Sequence, residues 1–124
     1  MIIAIIIPIY NRLEITKIGL YSLFESLKNY NINNGQFKYK VIVVDDGSTD
    51  KSSDWISQYY KEIIIVKSNG NLWWSGSLNL GINYAIDNCN PDYMLLWNDD
   101  TLCDLEYFIN LDKIITNKVF YTNQ

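Results

Sequence analysis

Histidine is absent from this 124-residue sequence, and cysteine occurs only twice, as Cys89 and Cys103, without CxxC spacing. These absences exclude a tetrahedral zinc site and a Ser/His/Asp triad, and point to a reduced, cytosolic setting. Charge is sparse as well: Asp, Glu, Lys and Arg make up 19% of the residues, with ten Lys and Arg scattered along the chain and a net charge of −4. No basic stripe is available to neutralise a phosphate backbone, so nucleic acid is not expected as a partner. An anionic ligand is not excluded, because backbone amides, helix N-termini and a bound divalent cation hold phosphates without a basic surface. The opening apolar run, Ile2 to Ile7, carries no basic leader and falls short of the roughly 20 apolar residues of a membrane span. It reads as a buried strand.

What the sequence has in quantity is apolar side chains, 48% of the total, which argues for a folded core and against disorder. One domain over residues 1–124 is expected, and a chain of this length buries roughly two thirds of its unfolded surface. Four apolar runs recur: Ile2 to Ile7, Val41 to Val44, Ile63 to Val66 and Tyr93 to Trp97. Runs without alternation indicate strands covered on both faces, and helix-length connections indicate parallel crossovers. The expected fold class is α/β, a three-layer α/β/α sandwich around a mostly parallel sheet.

The first connection places Ile15, Ile18, Leu23, Leu27 and Tyr30 at helical spacing, with Asn11 as N-cap and Glu14 three residues on. The polar stretch from Asn29 to Gln36 ends that helix. Asp50 is expected to cap a short helix through Tyr60, and Ser75 a third helix with Leu78, Ile82, Ala85 and Cys89 on its inner face. Pro91 breaks that helix, and Asp104 is expected to cap a last one bearing Leu105, Phe108, Leu111 and Ile115. Val119, Phe120 and Tyr121 read as the start of a fifth strand.

Ligands of parallel α/β sheets bind beyond the carboxyl ends of the strands. Those ends are polar here: Pro8, Tyr10 and Asn11; Asp45, Asp46, Gly47 and Ser48; Ser68 to Asn71; and Asn98, Asp99 and Asp100. Two carboxylate pairs on one rim repel unless a cation, a donor-rich ligand or solvent separates them. A hard cation such as Mg²⁺ or Mn²⁺ bridging one pair to phosphate oxygens, with the other pair accepting hydrogen bonds from a base or ribose, describes a nucleotide-diphosphate site. The bland alternatives are that Asp45 and Asp46 cap an ordinary Asp-Gly-Ser turn, and that Asp99 and Asp100 are solvated residues before a helix. Trp73 and Trp74 are either core or sugar-facing, and Asn71, Ser77 and Asn79 either touch ligand or stabilise a loop and helix start. The glycines between Gly70 and Ser77 lack the lysine of a P-loop, and Gly47 takes the place an aspartyl-phosphatase would give to a second carboxylate.

IIIPIYNR at 5–12, VIVVDDGSTD at 41–50 and MLLWNDDT at 94–101 resemble, in order and spacing, the three signature segments of family 2 glycosyltransferases. GNLWWSGSLNLGINYA at 70–85 resembles the segment before the metal motif, and its paired tryptophans are similar to the rhamnosyltransferase-like branch. The resemblance implies a GT-A fold in which this chain is the N-terminal, nucleotide-sugar-binding half, truncated relative to a complete domain of roughly twice its length. It implies that Pro8, Tyr10, Asn11 and Asp45 belong to the nucleotide pocket, that Tyr10 packs on a pyrimidine and that Asp46 accepts the base's imide hydrogen. Asn98, Asp99 and Asp100 become a variant DxD motif, with Asp99 near the ribose and Asp100 on Mg²⁺ or Mn²⁺. The activity implied is inverting, metal-assisted transfer from a UDP- or dTDP-linked sugar to a saccharide or lipid-linked acceptor. Its general base is expected beyond Gln124. The competing expectation is a non-catalytic nucleotide-binding module that assembles with another chain, as a homodimer for instance. The expected location is cytoplasmic, with the inner membrane face as a peripheral site.

Overall fold

The computed structural model describes residues 1–122. Strands β1 (Ile2–Ile9), β2 (Lys38–Asp45), β3 (Ile64–Lys67) and β4 (Tyr93–Leu96) alternate with helices α1 (Leu13–Ile32), α2 (Ser52–Tyr59), α3 (Trp73–Asn88) and α4 (Tyr107–Thr122). All strand pairs are parallel, in the order β3-β2-β1-β4. The chain thus winds outward from β1 through β2 to β3, then returns to the other side of β1 to form β4. That reversal is a topological switch point, where parallel sheets open a crevice at their carboxyl ends.

The unbroken apolar runs have the expected consequence that both sheet faces are buried. Ile3, Ile5, Ile7 and Ile9 of β1 pack with Val41 and Val43 against Leu20, Leu23 and Leu27 of α1, Ile56 of α2 and Phe108 of α4. Ala4, Ile6, Ile42 and Val44 pack on the opposite face against Leu78 and Ala85 of α3. The sandwich therefore has three helices on one side and one on the other, and each fully buried Ile or Leu contributes about 1.5–3 kcal/mol. Helix α3 lies close to the sheet at Gly81, where an added Cβ would stand 2.5 Å from Ile6 Cγ2.

Several local expectations are corrected. Val119, Phe120 and Tyr121 lie within α4 and not in a fifth strand; no Gly or Pro interrupts the helix before them, and helix propagation needs no neighbouring strand. Asn123 and Gln124 lie outside the described residues. Asn11 is not the N-cap of α1, whose capping position is Arg12 without a side-chain cap bond. Instead Asp50 reaches across to accept the Leu13 N–H at 3.0 Å, while its other oxygen accepts the Ser52 N–H at the start of α2. One carboxylate thus serves two helix N-termini. Ser75 lies inside α3 and does not cap it, and Asp104 supplies α4 only with its carbonyl, which accepts the Tyr107 N–H at 3.0 Å. Leu105 precedes the helix and is exposed. Cys89 is half-buried against the α3 core, at the end of the helix.

The inner face of α1 is also rotated from the expected one: Ile15 and Ile18 are exposed, and Thr16, Gly19, Leu20 and Leu23 face inward. The reason lies across the crevice. An added Cβ on Gly19 would stand 1.8 Å from the Asp99 carbonyl oxygen, so the turn after β4 leaves no room for a larger side chain there.

Candidate functional site

At the carboxyl ends of the strands a cavity of about 600 Å³ opens between the loops after β1, β2, β3 and β4. Of the residues singled out from sequence, Pro8, Tyr10, Asp46, Asn71, Ser77, Asn98, Asp99 and Asp100 line it together. Trp73 and Trp74 line it too, exposed at its mouth and outside the core.

Asp46 is the hub of one wall. Its backbone N–H donates to the Ile9 carbonyl at 3.2 Å, joining the ends of β1 and β2. Its Oδ1 accepts from Ser68 Oγ at 2.8 Å and from the Leu72 N–H at 3.1 Å, and its Oδ2 accepts from the Trp73 N–H at 2.9 Å. The carboxylate therefore caps α3 from outside, where the helix dipole favours negative charge. Burial pushes the Asp46 carboxyl up, but the donors from Ser68, Leu72 and Trp73 outweigh it and hold the group below the usual carboxylate range. This close approach depends on glycine: Gly47 has φ +82°, and an added Cβ there would lie 3.0 Å from Gly70 Cα. Trp73 opens α3 at φ +58°, a left-handed conformation costly for a bulky residue, and its side chain is 76% exposed.

The opposite wall is the turn after β4. Asp99 is buried and accepts from the Thr16 hydroxyl at 2.8 Å and from the Arg12 guanidinium. Asp100 is half-exposed, with Arg12 Nη2 3.7 Å from its Oδ2. The hydrogen bond to Asp99 raises the Arg12 pKa further above its already high value. Asn98 Oδ1 accepts from Trp74 Nε1 at 3.1 Å, which ties the aromatic mouth to the acidic turn.

Two expected pocket residues do not line the cavity. Asp45 points to the other side of the sheet end, accepting from the Ser48 N–H at 2.9 Å and from Ser53 Oγ, so the turn-capping reading describes it. Asn11, at φ +49°, accepts from the Thr49 N–H at 2.7 Å and joins the loop after β1 to the loop after β2. Both shape the rim from behind. Arg12 was missed as a site residue, although it follows Tyr10 and Asn11 directly in a rim segment and is that segment's only cation.

Among the described residues no three His, Cys, Asp or Glu side chains converge on one metal position. Asp99 already has two partners, which leaves Asp100 as the carboxylate open to a cation. A hard divalent ion is commonly held by one or two carboxylates together with waters and substrate phosphates, so this donor set fits Mg²⁺ or Mn²⁺ bound jointly with a diphosphate. No helix among the described residues is long and apolar enough to cross a membrane.

The crevice lies at the switch point of a parallel α/β sheet, with an acidic turn on one side and a helix-capping aspartate on the other. The profile described as "Glycosyl transferase family 2" matches residues 4–116, and the chain belongs to that family. It is 33% identical over 81 residues, 64% of this chain and 25% of the relative, to the low-salt glycan biosynthesis hexosyltransferase Agl10 of Haloferax volcanii. It is 31% identical over 103 residues, 81% of this chain and 15% of the relative, to the poly(ribitol-phosphate) beta-glucosyltransferase of Bacillus spizizenii. Among solved structures it superposes on S. aureus TarS 1–349 in complex with UDP-GlcNAc, with TM-score 0.69 and 19% identity over 94% of this chain and 32% of that one. The complex of the same protein with UDP gives TM-score 0.66 at 20% identity, again over 94% of this chain and 32% of that one. The chain thus spans a third or less of the length of these relatives, and the expected GT-A-type α/β architecture is the one observed.

Proposed function

We propose that this chain forms the donor-binding part of an inverting, metal-assisted glycosyltransferase that takes a UDP- or dTDP-linked sugar. The observation that carries this reading is that Asp46 and Asp100 line one cavity from opposite walls, with Tyr10 between the strand ends. An ionised carboxylate has about four acceptor positions, and three of those on Asp46 are taken, two on Oδ1 and one on Oδ2. The remaining position on Oδ2 suits the imide N–H of uracil or thymine and not cytosine, whose ring nitrogen at that place is itself an acceptor. Exposed Tyr10 supplies a face for the base, and Trp73 and Trp74 supply faces for the sugar at the mouth.

When a divalent cation is held at Asp100, it supplies Lewis-acid stabilisation of the charge developing on the departing diphosphate. The chain's own part is to fix that carboxylate. Arg12 and Thr16 pin Asp99, and Asn98 is held by Trp74, so the turn is set before ligand binds. No general base is assigned among the described residues. The relatives' names, a hexosyltransferase of glycan biosynthesis and a poly(ribitol-phosphate) beta-glucosyltransferase, favour a hexosyl donor; the tryptophan pair makes dTDP-rhamnose the second donor to assay.

A second reading is favoured by the commitments of the buried carboxylates: Asp46 holds three donors and Asp99 two, which fits binding and positioning roles and not that of a general base. On that reading the chain binds nucleotide without catalysis and works with another chain, a second copy included. Calorimetric titration with UDP, dTDP and CDP, with and without Mn²⁺, tests both. Binding of UDP and dTDP but not CDP, strengthened by Mn²⁺ and losing that enhancement in Asp100→Ala, is the expected result; no binding at millimolar nucleotide contradicts both readings. Donor hydrolysis then separates enzyme from binder.

A further inference from the structure

The cavity lining holds three carboxylates, Asp46, Asp99 and Asp100, and one cationic side chain among the described residues, Arg12. Asp46 is committed to the N-terminus of α3, so the single guanidinium serves the other two. It serves them unequally. The Asp99 side chain is 5% exposed and holds both Arg12 and Thr16, whereas that of Asp100 is 54% exposed, with the guanidinium 3.7 Å away, an ion pair without a direct hydrogen bond. The Arg12 side chain is itself 45% exposed, so its remaining N–H groups are open to the cavity.

We propose that Arg12 is an internal counter-cation that competes with a divalent metal for Asp100 and is released to a diphosphate when nucleotide enters. The inference rests on the nucleotide-diphosphate reading of the cavity. A guanidinium 3.7 Å from the Asp100 carboxylate repels a free divalent ion drawn to that carboxylate, so the cavity holds metal poorly on its own. A diphosphate changes this balance: its oxygens match the planar fork of Arg12 and also bridge to the metal, converting repulsion into two attractions on one anion. Metal and nucleotide are then taken up together, and by linkage each raises the other's affinity. Arg12 is in this account a positioning residue for the Asp99–Asp100 turn, and it sets the order in which ligands load.

Electron paramagnetic resonance of free Mn²⁺, titrated with the 124-residue chain in the absence of nucleotide, reads the metal affinity directly. Arg12→Gln is expected to bind Mn²⁺ on the order of tenfold tighter than the unaltered chain, and Arg12→Lys, which keeps the charge, to stay within about twofold of it. Mn²⁺ should tighten UDP binding less in Arg12→Gln than in the unaltered chain. Circular dichroism checks that each variant is folded, and Arg12→Met, which keeps the aliphatic stem without the charge, replaces the glutamine variant should that one unfold. Equal or weaker Mn²⁺ affinity in the folded neutral variants overturns the proposal and leaves Arg12 a structural clamp; absence of any Mn²⁺ binding in all variants overturns it as well. Metal-free UDP titration of the unaltered chain reports separately on the nucleotide reading, so the two failures are distinguishable.

Discussion

Asp46 carries two duties on one carboxylate, closing the N-terminus of α3 and presenting its last acceptor position to the cavity. Asp46→Asn leaves an amide facing backbone N–H donors, and losing hydrogen bonds to a charged group costs about 1.5–3 kcal/mol. Chemical denaturation is expected to show that loss, and the variant should no longer prefer UDP over CDP. Asp46 and Asp50 both have carboxyl groups held below their usual range, in each case by donors that outweigh the opposing effect of burial. A depressed folded-state value stabilises the protein above the unfolded value and is lost as pH falls through the folded one. Stability should therefore be flat in this respect near neutrality and decline below about pH 4, measured as the denaturation midpoint against pH. These duties were only half legible in sequence. Aspartates after apolar strands were visible as a pair, but which of Asp45 and Asp46 faces the cavity depends on the turn at Gly47, and Asn11 and Asp45 proved to brace the rim from behind.

At the scale of elements, strand positions were read to within a few residues because fully buried parallel strands leave unbroken Ile and Val runs. Helix starts were read less well. Asn11, Ser75 and Asp104 are the residue types that cap helices, yet α1 and α3 are closed by Asp50 and Asp46 from other loops, a long-range arrangement that local spacing does not encode. The inner face of α1 was misread for a related reason: Thr16 and Gly19 face inward because the turn at Asp99 sits against them. This contact makes a prediction. Gly19→Ala forces α1 and the turn apart, which as overpacking costs about 1–3 kcal/mol; it should also weaken Mn²⁺-dependent nucleotide binding more than metal-free binding. Thr16→Val removes only the hydroxyl bond to Asp99 and should lower thermal stability without closing the cavity.

For the whole molecule, the winding outward through β3 and back to β4 creates the crevice, and the signature segments fall at its edges because they are the strand ends. The family was legible from those segments, and the profile match over residues 4–116 agrees with them. The claim on which the account turns is that one cavity holds a pyrimidine nucleotide at Asp46 and its metal-bound diphosphate at Asp100. Amide NMR of the chain titrated with UDP, followed by substoichiometric Mn²⁺, tests this directly. The account predicts UDP-induced shifts at Tyr10, Asp46 and Trp73, and paramagnetic broadening centred on residues 98–101. Shifts confined to other parts of the sheet, or broadening that leaves 98–101 untouched, would contradict it.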